Sequence, residues 1–206
     1  ASRGLGDVYK RQFEDMLKVA GSLDVPFSRY VFNSVFVAVV VTVAQLLFSS
    51  SAAYALSKVA FPGAKALNKI IEIALLFTST VLYIMQYMVM ATLGMIDTYF
   101  AIILPYIATP MGLFLMRQFM GQLPDSMIEA AKLDGASELR TLVNVVLPMS
   151  TPIIGTIGLM SGLAYWNDWT NGLYYLVKRT DLYSIQNVLT NMLNNIQFLK
   201  TATQLQ

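Results

Sequence analysis

Five consecutive residues, Tyr165, Trp166, Asn167, Asp168 and Trp169, put aromatic rings beside an amide and a carboxylate. That is the chemistry a sugar requires: rings cover its apolar faces, and hydrogen-bonding groups take its hydroxyls. The same residue types also gather at membrane interfaces as anchors, so the pentad fits both uses. Chemistry of other kinds finds few residues to perform it. The chain contains neither histidine nor cysteine, which removes the commonest general base, the commonest metal ligand and any thiol nucleophile. None of the twelve glycines opens a G-x-x-x-x-G-K-[ST] loop, so the sequence holds no P-loop for ATP. An intramembrane enzyme would then depend on serine or paired carboxylates, and no such pair lies within an apolar run. A carrier driven by an ion gradient would need ionisable groups at mid-membrane, where this chain has almost none.

A second stretch, EAAKLDGASELRTLVNVVLP from Glu129 to Pro148, is ordered and polar between two long apolar runs. Ser126 and Glu129 have the S-x-x-E spacing of a capping box, which predicts a helix starting at Ser126. Asp134-Gly135 predicts its end, because glycine takes the left-handed conformation without a steric penalty. Ser137 can cap a second helix with Leu139, Leu142, Val143 and Val146 on one side, running until Pro148 removes an amide donor. The small side chains of Ala130 and Ala131 allow another protein's surface to approach the backbone. A well-capped connecting loop would show the same local signals.

The elements that must position these stretches are written in the charges. The chain is 56% hydrophobic and 13% charged, with a mean hydropathy of +0.57, too apolar for an ordinary soluble domain. A net charge of +2 offers no basic face for nucleic acid. Uncharged intervals of 28, 24, 19 and 27 residues separate Arg29 from Lys58, Glu72 from Asp97, Asp97 from Arg117 and Arg140 from Asp168. Each is about long enough to cross a hydrocarbon core. Four membrane-spanning helices are therefore predicted in a polytopic all-α bundle, near residues 30–55, 70–93, 99–120 and 147–166, with the polar loop at 121–146. Residues 182–199 carry Asn187, Asn191, Asn194 and Asn195 beside Leu182, Ile185, Leu189, Met192, Ile196 and Leu199 at helical spacing, and predict an amphipathic helix outside the core. Gly155, Gly158 and Gly162 predict close helix packing. Met85, Met88, Met90 and Met95 fill core gaps, while Gln45, Gln86 and Gln118 are uncharged polar groups in or near spans. Lys58, Lys65 and Lys69 share a side with Arg117, Lys132 and Arg140, but Lys18, Arg29, Lys178 and Arg179 fall opposite, so charge bias sets orientation only weakly.

The full spacing of the polar stretch is Glu129-Ala130-Ala131, three residues, Gly135, nine residues, Val145, one residue, Leu147-Pro148. It resembles the EAA signature of permease subunits in binding-protein-dependent ABC importers, with Val145 where that signature usually has isoleucine. RYVFNSV, AAYALSKVAFPG, LPDSMIEAAKLDGAS and YWNDWTNGLYYL extend the resemblance from about Phe13 to Leu199, toward the carbohydrate-uptake branch related to maltose-type permeases. The resemblance implies a prokaryotic plasma-membrane subunit of usually six spans, of which this chain would hold the second to fifth. It implies that Glu129, Ala130, Ala131, Asp134, Gly135, Leu147 and Pro148 couple it, on the cytoplasmic side, to a separate ATPase that uses ATP and Mg. It also implies a second permease, with which it would form a heterodimer, and an extracellular solute-binding protein as partners, with no cofactor on this chain. Residues 1–12, ASRGLGDVYKRQ, resemble a translated sequencing adapter and are set aside as a non-native leader.

Overall fold

The computed structural model describes residues 25–77 and 79–204, and among them the chain is helical with no strand. Its frame is α1, Phe27–Lys58, a helix of 32 residues. The buried positions of α1 include Tyr30, Ser34, Ala38, Val41, Gln45, Ser49 and Ala53, which recur every three or four residues and so share one face. That face is small and polar, while Phe32, Val35, Val39, Val43 and Leu47 point outward. A water-soluble helix would be arranged the other way round. In lipid the outward face costs nothing apolar to expose, and small inward residues let neighbouring helices approach.

Four helices follow before the polar stretch: α2, Ala64–Ala74, α3, Ser79–Thr92, α4, Tyr99–Ile107, and α5, Pro110–Gly121. The predicted span at 70–93 is thus divided, with α3 only 14 residues long. The divide falls between Ala74 and Ser79. The predicted span at 99–120 corresponds to α4 and α5, interrupted at Ala108 and Thr109, and is continuous enough to count as one apolar helix of 23 residues.

The polar stretch folds as α6, Asp125–Leu133, and α7, Glu138–Met149. The last apolar helix is α8, Thr151–Trp166. The predicted span at 147–166 is broken at Ser150, where α7 and α8 meet at 79°. Among the described residues, two helices, α1 and the α4–α5 unit, are long and apolar enough to cross a membrane, or three if α7 and α8 count as one. A short helix α9, Thr170–Tyr175, leads into α10, Ile185–Gln204.

α1 packs against α5 and α8 along its length. Gly158 and Gly162 of α8 face α1 in this contact: a methyl at Gly158 would lie 3.4 Å from Leu46 Cδ1, and one at Gly162 3.8 Å from Thr42 Oγ1, both ordinary contact distances. Gly155 faces open space. On the outer side, Asp97 takes a left-handed φ of 64°, and its carboxylate accepts the amides of Lys178 at 2.8 Å and Arg179 at 3.2 Å. The Lys178 amide above all holds this carboxyl below its ordinary value.

α10 departs from the predicted amphipathic segment at its start. Leu182 belongs to a buried 3₁₀ turn, and Asn187, expected on the polar outer face, is buried among hydrogen bonds while Leu189 is exposed. Residues 1–12, Lys18, and the side chains of Asn195, Ile196 and Leu199 lie outside the described residues.

Candidate functional site: a braced hairpin and a buried polar cluster

The hairpin α6–α7 is built from short-range rules and anchored by long-range ones. α6 begins one residue before the predicted capping box: Pro124 is its N-cap and no side chain caps it. Ser126 therefore lies inside the first turn, and Pro124 supplies the start because its ring fixes φ at a value suited to entering a helix. The end of α6 is as expected. Gly135 has φ of 79°, its amide reaches Lys132 O at 3.0 Å, and the Ala136 amide reaches Ala131 O at 3.0 Å. These two bonds form a Schellman cap. Ser137 Oγ then accepts the Arg140 amide at 3.4 Å and caps α7.

Inside α7 the residues Leu142–Val146 form a π turn, in which the Leu147 amide bonds Leu142 O. Pro148 has no N–H to give to the preceding turn, and the wider register absorbs that loss. The helix therefore does not stop at Pro148, as its sequence suggests, but at Met149, one residue before the bend. The apolar stripe predicted for α7 divides. Leu142 and Val146 are buried, whereas Leu139, 71% exposed, and Val143 face outward.

Ile128, Leu142 and Val146 enter one core with Ala53 and Tyr54 of α1, Met116 and Met120 of α5, and Ile157 of α8. The hairpin is thereby continuous with the apolar bundle. Two polar bridges add to this. Lys58, the last residue of α1, places its ammonium 2.6 Å from Leu123 O, 3.3 Å from Gly121 O and 2.7 Å from Asp125 Oδ1. Tyr54, one turn earlier, donates its hydroxyl to Glu138 Oε2 at 2.5 Å, and Lys132 Nζ lies 2.6 Å from Glu138 Oε1. The Lys132 ammonium first, and then the Tyr54 hydroxyl, hold the Glu138 carboxyl below its ordinary value. A third pair, Arg117 with Glu72 at 3.1 Å, ties α2 to α5.

The hairpin leaves exposed most of α6, apart from Ile128, together with the turn and the start of α7. Glu129, Ala130, Asp134 and Gly135 are exposed and Ala131 is half-buried, beside Met127 and Leu133, the last 89% exposed. Leu147 and Pro148 lie instead at the base of the hairpin, next to the bend, with Leu147 packed against the core. Tyr54, Lys58, Asp125 and Glu138 were not singled out from the sequence. Lys58 and Tyr54, at i and i−4 on the end of a long apolar helix, are the signal that was available.

Around the middle of α1 and beyond it a different kind of contact forms. Tyr165 donates to Gln45 Oε1 at 2.8 Å, and Gln45 Nε2 donates to Thr109 Oγ1 at 2.7 Å. Tyr106 stacks edge-on against Tyr165, with ring centroids 5.2 Å apart, and donates to Asn171 Oδ1 at 2.7 Å. The Asn171 amide nitrogen in turn contacts Asp168 Oδ2, and Asp168 Oδ1 accepts the Thr170 amide at 2.9 Å. Ser184 Oγ bridges Asp168 O at 3.2 Å and Asn187 Oδ1 at 2.7 Å. Higher still, Asn33 donates to Asp181 O and Tyr183 O and accepts from Tyr99.

Of the aromatic pentad, Tyr165 and Asp168 line a cavity of about 20 Å³ together with Tyr106 and Asn171. That volume holds about one water molecule and no sugar ring. Trp166, Asn167 and Trp169 lie outside it, with Trp169 partly exposed and Asn167 bonded to Leu163 O at 2.8 Å.

Comparison with known proteins places this geometry. The family described as "Binding-protein-dependent transport system inner membrane component" matches residues 25–202. The chain is 37% identical over 150 residues to the protein LplC of Bacillus subtilis, covering 73% of this chain and 50% of that one. It is 35% identical to the Polygalacturonan/rhamnogalacturonan transport system permease protein YtcP of the same organism, covering 69% and 49%. To the Trehalose/maltose transport system permease protein MalG of Thermococcus litoralis it is 32% identical, covering 81% and 61%. Among solved structures, a chain of a bacterial ABC transporter involved in the import of the acidic polysaccharide alginate superposes with a TM-score of 0.70 at 29% identity, covering 76% of this chain and 55% of that one. The chain thus spans about half of the first two relatives and some three-fifths of the third. None of these likenesses supports a carrier driven by an ion gradient.

Proposed function

The chain belongs to the family of binding-protein-dependent transport system inner membrane components, and from that premise we propose that it is part of the membrane-spanning permease of an ATP-driven sugar importer. The observation that carries this reading is the hairpin α6–α7, a rigid polar element that buries one side in the bundle and offers the other to a partner. Glu129, Ala130 and Ala131 meet the ATPase subunit, Met127, Leu133 and Leu139 supply the apolar contact around them, and Gly135 with Asp134 holds the turn. Exposed apolar side chains clustered on an otherwise charged element suit a protein interface. Leu147 and Pro148 set the base of the hairpin, so that closure of an ATPase pair moves α7 and α8 as one bent body instead of being absorbed by a loop.

In this reading the chain performs no chemistry of its own, and the ATPase partner uses ATP and Mg. A second permease completes the pathway, and an extracellular binding protein delivers the solute. Carbohydrate is the substrate class, by analogy with the permeases of polygalacturonan and trehalose/maltose transport systems that it is similar to. Tyr165 and Asp168 shape the outer end of the path, where Trp166, Asn167 and Trp169 border it.

Cysteine crosslinking tests the docking face directly, since the chain contains no cysteine. In the complete subunit, Ala131→Cys is expected to form an adduct with an ATPase carrying one cysteine in its docking cleft. An assembled complex without that adduct would return the hairpin to an ordinary connecting loop.

A further inference from the structure

α1 ends at Lys58, and the geometry around that residue points to a role that the docking face alone does not explain. Its side chain is only 5% exposed. Its ammonium reaches the Gly121 and Leu123 carbonyls at the C-terminal end of α5 and the Asp125 carboxylate at the first position of α6. Carbonyls at a helix end lack intrahelical partners and carry partial negative charge. One cation thus joins the ends of three helices. Tyr54, on the same face of α1 one turn earlier, holds Glu138 at the start of α7. Lys58 grips the arm of the hairpin that enters, and Tyr54 the arm that leaves. A single attachment would let the hairpin pivot, whereas two attachments on one helix fix its orientation.

We infer that Lys58 is a positioning residue which, with Tyr54, locks the α6–α7 hairpin to α1 and so determines how much solute moves per ATP hydrolysed. The inference rests on the docking role proposed for the hairpin. Lys58 touches neither solute nor nucleotide. It acts by keeping the hairpin in register with the longest helix of the bundle, whose middle carries Gln45 and whose outer end carries Asn33. Motion imposed at the docking face is carried to α1 only while both attachments hold. Without them the core residues Ile128, Leu142 and Val146 still seat the hairpin, so assembly survives while transmission weakens.

The test uses the complete importer in proteoliposomes, measuring solute uptake and ATP hydrolysis in the same sample. Lys58→Met keeps the stem and removes the charge, and it is expected to lower uptake per ATP about five- to tenfold. Lys58→Arg restores a cation and is expected to restore the ratio, which a role in packing alone would not require. If Lys58→Met assembles and its uptake per ATP equals that of the parent protein, the inference is overturned. If that variant fails to assemble, Tyr54→Phe, which loses one hydroxyl, decides: a ratio lowered about twofold or more supports the two-point lock, and an unchanged ratio overturns it. The Ala131→Cys crosslink is run with Lys58 intact. Its absence overturns the docking role itself, and its presence beside an unchanged uptake ratio overturns the role of Lys58 alone.

Discussion

The hairpin at one end of α1 and the cluster around its middle are held by opposite chemistry. At the hairpin the links are ionic: Lys58 with Asp125, Lys132 with Glu138, Arg117 with Glu72. Around the middle of α1 they are mostly uncharged, running from Gln45 through Tyr165, Tyr106 and Asn171 to Asp168, and an ion pair returns only at the far end, where Arg29 lies 3.4 Å from Asp181. The difference follows from solvent. A charge in or beside hydrocarbon is costly unless fully paired, whereas amides and phenols can satisfy one another there at smaller cost. Ion pairs at the hairpin keep one partner in water, as Asp125 does, and the buried Lys58 ammonium offsets its desolvation with that carboxylate and two carbonyls. The hairpin can consequently be firmly placed and still present a wet, exposed face, while the outer cluster trades exposure for a fixed shape.

The largest effect expected from this comparison lies in the core under the hairpin. Ile128→Ala removes a buried side chain from the cluster that joins α6 to α1, α5 and α8, and should destabilise the protein by about 2–4 kcal/mol. Thermal unfolding of the purified subunit in detergent measures this. A loss below about 0.5 kcal/mol would mean that ion pairs, and not apolar packing, seat the hairpin.

Next comes a break in the outer cluster by crowding instead of deletion. A methyl added at Gly172 would run into the side-chain amide of Asn187, which is already committed to Ser184 and Trp169. Gly172→Ala should cost about 1–3 kcal/mol. Gly155→Ala, facing open space, is the matched control and should leave the unfolding temperature nearly unchanged. Equal losses at both positions would mean that the outer cluster is not tightly packed.

A smaller change sharpens the contrast between the two regions. Tyr165→Phe removes the bond to Gln45 while keeping the ring against Tyr106. Hydrogen bonds between helices in membranes are worth about 0.6–1.7 kcal/mol, and the loss should be insensitive to salt. Salt dependence would show that charge, and not neutral hydrogen bonding, governs this cluster.

What was legible in the sequence divides along the same line of range. Gly135 and Ser137 act through their own backbone and the next few amides, so their roles were readable from residue type and spacing. α1 was readable from the uncharged run between Arg29 and Lys58. The capping box at Ser126 was misplaced because Pro124 starts the helix earlier, and the stripe on α7 was drawn too wide because only Leu142 and Val146 of its four residues face the core. The bend at Ser150 depends on how α7 and α8 pack, which no local spacing expresses. The bridges from Lys58 to Asp125 and from Tyr54 to Glu138 join residues 67 and 84 positions apart. One sequence read alone has no rule linking such pairs. The pentad showed the right residue types, yet only Tyr165 and Asp168 share a cavity, because α8 ends at Trp166 and the chain turns there.

The smallest effect belongs to the Glu138 carboxylate, and its sign can be worked out. The Lys132 ammonium and the Tyr54 hydroxyl lower its folded value, so the unfolded chain takes up a proton more readily than the folded one. Its contribution is therefore complete above the ordinary glutamate value of about 4.3 and is lost as pH falls through the lower folded value. Because half of the side chain is exposed, solvent screens the pair and the total is under about 1 kcal/mol. Glu138→Gln should then unfold slightly more easily than the parent at pH 7, and the gap should close on acidification and shrink in about 1 M salt. The outer cluster should show neither trend with Tyr165→Phe between pH 7 and 4, since phenol and amide do not titrate there. A gap for Glu138→Gln that persisted unchanged at low pH and high salt would mean that Glu138 holds the hairpin as a hydrogen-bond acceptor for Tyr54 and not through charge, and the ionic character assigned to that end of α1 would then rest on Lys58 alone.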